Sequence, residues 1–193
     1  MPLPIRRLAP ALALCCTLSA CVTACGDGGA AEVTAVYITA PTPPPTTLAD
    51  LQECARDRFA SNAGLAAGAA YRWIVKPWKE GGFKEGAKGR DVALDKAGLA
   101  GAFAYNRLKA VQRHAQGDPR LAEAFAPLNA RLEGLKGLPS RLRTGDESAV
   151  RSFYDVITKV RGVGDSTGTR IRIRVPSETQ LAAGGKDLTI CQI

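Results

Sequence analysis

The sequence predicts an all-α fold over residues 47–164, an up-and-down bundle of about four helices followed by an irregular, extended C-terminal tail over 165–193. Three observations carry this. Leu121, Phe125, Leu128, Leu132, Leu135, Leu138 and Leu142 recur at steps of three or four, the period at which side chains share one face of a helix. Val150, Phe153, Ile157 and Val160 repeat the same period further on. Thr47 and Asp118 stand directly ahead of such stretches, where a side-chain oxygen can accept from a first-turn N–H.

Helix by helix, Thr47 caps the first, with Asp50 in capping-box register. Leu48, Leu51, Cys54 or Ala55, Phe59, Ala63, Ala66, Ala70 and Trp73 then line one face. Pro77 should end or kink it, because its nitrogen has no hydrogen to donate and its ring collides with the preceding turn. The second helix is expected from about Phe83 to Gln116, stopped by Gly117. The third starts at Asp118 with Pro119 in its first turn, and Pro127 and Pro139 should bend or break it. The fourth is capped by Thr144 or Asp146 and ends at "RGVG", 161–164. Beyond it, "TRIRIRV" alternates arginine with Ile171, Ile173 and Val175 as a half-buried strand does, but on a helical domain it has no strand to pair with and reads as extended tail.

Two glycine-alanine stretches, "AGLAAGAAY" at 63–71 and "AGLAGAFAY" at 97–105, match at several positions but lack the third unit an array requires. Each helical glycine costs about 1 kcal/mol relative to alanine, so packing must offset it. The expectation is that the first two helices run antiparallel, with Gly64, Gly68, Gly98 and Gly101 between them and Tyr71 and Tyr105 at the border. Insertion of these stretches in a membrane fails because Asp57, Arg58, Arg72, Asp95, Lys96, Arg107 and Lys109 leave windows well short of the roughly 20 apolar residues a span needs.

The N-terminus is of another kind. Arg6 and Arg7 precede an uncharged run from Leu8 to Cys25, the pattern of an export signal over 1–24. "LSAC", ending at Cys21, and "VTAC", ending at Cys25, both resemble the lipobox of bacterial lipoproteins, whose cysteine thiol receives a diacylglyceryl group. Lipidation at Cys25 leaves Cys54 and Cys191 as an even pair, whereas lipidation at Cys21 strands Cys25 as an extra thiol outside the cytosol. Cys25 is therefore favoured, with Cys21 as the alternative. Residues 25–46, with four prolines between Pro41 and Pro45, read as a Pro-rich tether. Export makes a Cys54–Cys191 disulfide the expected state of those thiols. The expected address is the outer face of the cell membrane by lipid anchor, or the medium.

Charge and motifs then bound the chemistry. The net charge of +8 falls to +6 once residues 1–24 are removed, since Arg6 and Arg7 leave and no acid does. Such a balance favours encounter with anionic lipid or an anionic envelope polymer, and export sets nucleic acid aside. No catalytic motif, metal-ligand spacing or cofactor signature is found, and His114, the single histidine, reads as a surface or helix-end residue. Both tryptophans fall in "RWIVKPWKEGGFKEGAKGR", 72–90, which gathers Trp73, Lys76, Trp78, Lys79, Phe83 and Lys84 as the candidate binding surface. The plainer reading makes Trp73 and Phe83 core residues beside an interhelical turn.

The phrases "WIVKPWKEGGFKEGAKGR", "KAGLAGAFAYNRLKAV" and "LNARLEGLKGLPSRLRTGD", spanning roughly residues 70–146, resemble the small exported helical proteins of actinobacteria. The resemblance implies location and architecture and transfers no catalytic residue. The function expected is that of a non-catalytic binding or interaction module of the cell envelope. The alternatives are an enzyme acting on cell-wall polymer and a secreted membrane-active effector.

Overall fold

The computed structural model describes residues 47–185. Residues 1–46, on which the expected export signal, the lipobox candidates Cys21 and Cys25 and the expected tether fall, and Cys191 lie outside the described residues. Within them the fold is all-α, several helices packed on one another around a common core. Helix α1 (Leu48–Ala70) opens on the full capping box, Thr47 Oγ1 accepting from the Asp50 N–H at 3.1 Å and Asp50 Oδ2 from the Thr47 N–H at 3.2 Å.

Pro77 does not end this helix. A π-helical turn, Tyr71–Val75, comes after α1, closed by the Lys76 N–H donating to the Tyr71 carbonyl, and α2 (Lys76–Lys79) continues from it. The widened turn restarts the hydrogen-bond ladder, so that Pro77 falls in the first turn of α2, where a missing N–H costs little. The next helix, α3, spans Arg90–Ala115 rather than starting near Phe83. Gly81, Gly86 and Gly89 hold φ of 78°, 77° and 74°, a left-handed backbone that no helix continues through. Phe83 is nonetheless buried, and its carbonyl accepts from Arg90 Nε at 3.0 Å.

The leucine ladder is broken as its prolines and glycines require: α4 (Pro119–Phe125), a 3₁₀ turn (Ala126–Leu128), α5 (Asn129–Glu133) and α6 (Leu138–Arg143). Its side chains still face one core, and Leu121, Phe125, Leu128, Leu132, Leu135, Leu138 and Leu142 are all buried. Phe125 meets Phe59 of α1 edge to face, ring centroids 6.1 Å apart. Helix α7 (Glu147–Ser166) takes its cap from Asp146 and runs through "RGVG" instead of stopping there. It buries Val150, Phe153, Val156, Val160 and Val163, and the last helix among the described residues, the short α8 (Glu178–Ala182), buries Leu181.

Helices α1 and α3 do form an antiparallel pair, tied by Arg107 Nη1 donating to Asn62 Oδ1 at 3.0 Å, with Gly117 just past α3 set against Ala55 near the start of α1. The glycines, however, do not lie between them. A Cβ on Gly64 would come within 2.1 Å of the Arg172 carbonyl oxygen, and one on Gly68 within 2.0 Å of that of Arg174. Gly98 and Gly101 instead admit Arg143 and Leu142 of α6. Tyr71 is 56% exposed. The small residues of α1 therefore make a slot for the extended chain beyond α7. That segment also departs from the expected alternation, because Ile173 and Val175 are 50% and 56% exposed while its backbone is what meets the helix.

Asp118 secures the other end of the domain. It is 1% exposed, caps α4 by accepting from the Arg120 and Leu121 N–H groups, and accepts from Arg56 Nε of α1 at 2.6 Å. Burial alone would raise its pKa, but the Leu121 amide and the Arg56 guanidinium outweigh it and hold the carboxyl below its ordinary range.

This packing makes two outcomes measurable. Gly162, on α7, has open space around its would-be Cβ, whereas Gly68 abuts backbone; Gly162→Ala should gain about 0.5–1 kcal/mol, and Gly68→Ala should lose about 2 kcal/mol by overpacking, both read from urea midpoints. A depressed aspartate pKa contributes stability above the unfolded value of about 3.9 and loses it as pH falls through the folded one. Asp118→Asn should accordingly be less stable than the native chain at neutral pH, with the gap closing as unfolding is measured progressively below about pH 4.

Candidate functional site

The π turn sets the phase of α2, and with it Trp78. Just past α2, the left-handed Gly81 reverses the chain so that Phe83 and Lys84 return beside Trp78 and Lys79. The other wall is the start of α7, where Glu147, Val150, Arg151 and Tyr154 succeed one another at helical spacing. Two clefts flank Trp78. One, of about 490 Å³, is lined by Trp78, Lys79, Phe83, Lys84, Gly145 and Glu147. The other, of about 300 Å³, is lined by Val75, Trp78, Lys79, Val150, Arg151 and Tyr154.

Cation and aromatic groups cross between the two walls. The Arg151 guanidinium carbon stands 5.9 Å from the Trp78 ring centroid, and Lys79 Nζ stands 5.9 Å from that of Tyr154. Contacts at this range, on exposed groups, contribute roughly 0.5–1 kcal/mol each. Arg151 is also steadied along its own helix by Glu147, 3.3 Å away.

The mouth of the larger cleft is held in place by Asp146. Its carboxylate accepts from the Ser148 N–H at 2.8 Å and from Arg141 Nε at 2.8 Å, while Arg141 Nη2 donates to Ser148 Oγ at 2.7 Å. The hydrogen bonds from Ser148, and then that from Arg141, bring its pKa down to about 2, so the cap stays ionised far into acid. A ligand placed here would meet an aromatic face at Trp78, three cations at Lys79, Lys84 and Arg151, and one carboxylate at Glu147.

Of the six residues that the sequence singles out, Trp78, Lys79, Phe83 and Lys84 come together. Trp73 does not join them: it is core, 9% exposed, and its edge opens on a separate hollow of about 260 Å³ shared with Pro77, Val92, Lys96 and Glu178. Lys76 pairs with Glu80 at 3.8 Å. Arg151, Tyr154 and Glu147 escape sequence reasoning. Arg151 and Tyr154, three apart, put a cation and an aromatic beside the Val150–Phe153 stripe, but nothing in the linear chain says that α7 meets Trp78.

His114 is 8% exposed, buried on the last turn of α3 rather than lying on the surface. Cys54 is half-buried on α1. Among the described residues no cluster of His, Cys, Asp or Glu is arranged to hold a metal ion, and no helix is long and apolar enough to cross a membrane. Comparison with family models, curated proteins and solved structures gives no match to this chain.

Proposed function

We propose that this chain is an exported cell-envelope protein, anchored by lipid on Cys25 (with Cys21 as the alternative) or secreted, whose helical domain is a non-catalytic binding module for an anionic envelope polymer or lipid. The observation that supports it is the Trp78 face, where an aromatic surface and the cations Lys79, Lys84 and Arg151 share two open clefts. Such a surface binds by stacking and charge, in the way aromatic and cationic groups combine at polyanion and headgroup sites. Among the described residues, the carboxylates whose pKa values move, Asp118, Asp146 and Glu178, all move downward. Each is engaged with a cation, Glu178 chiefly by the hydrogen bond from Lys96, and none is raised as a general acid requires.

The address rests on the leader and on the resemblance to exported actinobacterial proteins. A Cys54–Cys191 crosslink belongs to the same proposal, resting on the even pair that remains once Cys25 is lipidated. Closing so long a loop would stabilise the domain by about 3–5 kcal/mol on the chain-entropy estimate.

Two measurements test this reading. Heparin, as a soluble polyanionic glycan, should perturb the tryptophan fluorescence of the protein saturably and more weakly with added salt, and the Lys79→Glu and Arg151→Glu variants should each lose about tenfold or more in affinity. An equal response to neutral dextran would overturn the binding reading. Intact-mass analysis of the membrane fraction should find a chain beginning at a diacylglyceryl-modified Cys25, or at Cys21. An unprocessed, unlipidated chain recovered only from soluble extract would overturn the address without touching the binding result.

A further inference from the structure

We propose that the extended segment 170–175 is a docking edge for a second chain, taking an acidic peptide that lies alongside it as an added strand. The site is distinct from the Trp78 face and does not depend on it.

The geometry comes from the glycine slot. The carbonyls of Arg172 and Arg174 are turned onto α1 at Gly64 and Gly68, and the Arg174 N–H donates to the Gly64 carbonyl at 3.1 Å. In an extended chain the N–H and C=O groups of successive residues point to opposite edges. With Arg172 and Arg174 facing the helix, the backbone groups of Ile171, Ile173 and Val175 face away from it. Among the described residues none of those outward groups has a hydrogen-bond partner. They form a strand edge that no described residue pairs with, the arrangement that recruits another extended chain. Ile173 and Val175, half exposed or more, add apolar side chains to that edge, and Pro176, which has no N–H, closes it.

Charge selects the occupant. Arg170, Arg172 and Arg174 are exposed, alternate along the segment, and form no ion pair among the described residues. Glu53 and Asp57 border the groove of about 580 Å³ into which Arg170 and Arg172 face, yet neither pairs with them. Carboxylates at every second position of an incoming strand match the arginine repeat, since both chains alternate their side chains with the same period. An anionic membrane would satisfy the arginines but leaves the row of directional amide and carbonyl groups unmatched, so the peptide is the better fit.

The test uses the full chain and a fluorescent synthetic peptide alternating Glu and Val. It should bind saturably, and its Lys–Val counterpart should bind at least about tenfold more weakly. Methylating alternate backbone nitrogens of the Glu–Val peptide, which leaves the protein unaltered, should cost a further tenfold or so, because it removes only the ladder bonds. The Arg170→Glu/Arg172→Glu/Arg174→Glu variant should reverse the charge preference, with its fold confirmed by an unchanged thermal midpoint. Indifference to methylation would overturn the strand mode, and equal binding of both peptides would overturn the charge match. Capture by phosphatidylglycerol vesicles with no peptide binding would overturn the proposal in favour of a lipid surface.

Discussion

The architecture depends on the absence of two methyl groups. Gly64 and Gly68, one helical turn apart, open a channel in α1 just wide enough for another piece of backbone, and the chain returning from α7 lies in it with its Arg172 and Arg174 carbonyls against the helix. Helical glycines are individually unfavourable, and here the contact they permit offsets that cost. The segment itself contributes little apolar side-chain burial, so its hold on the domain comes from fit and from a few directional bonds. Gly164 on α7 plays the same part at the start of the segment, leaving room for Ile171 and the Thr169 carbonyl.

A second constraint positions the Trp78 face. A regular α-helix through Pro77 would set a ring against the preceding turn; the π turn at Tyr71–Val75 removes the conflict and rotates α2 about the helix axis. Trp73, Ile74 and Val75 stay in the core, while Trp78, three residues past Val75, is brought up to α7. The Asp146–Arg141–Ser148 cluster then fixes the facing helix start. Both walls of the clefts are thereby built on ordered elements, which is what a preformed binding surface needs.

Much of this is legible in the sequence, and the rest is hidden for definable reasons. Caps and periodicity find the helices: Thr47, Asp118 and Asp146 sit where their oxygens accept from first-turn amides, and each leucine of the 121–142 ladder is buried. The errors fall where a local rule has more than one outcome. Pro77 could end, kink or be absorbed by its helix, and only the register of Trp73 and Trp78 against the core decides between them. Gly64 and Gly68 announce a close approach without naming the neighbour, since a glycine slot fits a helix and an extended strand equally well. Half of the candidate face comes from α7, far along the chain from Trp78, where no spacing rule reaches.

The slot in α1 is filled by residues from the far end of the described chain, and that has a consequence for biogenesis. As the polypeptide emerges in order, the first helix is available almost at once, yet its groove stays bare until the last stretch arrives. Closing so distant a contact is slow relative to forming neighbouring turns. For most of synthesis the nascent domain therefore carries an uncovered glycine-lined furrow, and any truncated product would keep it permanently.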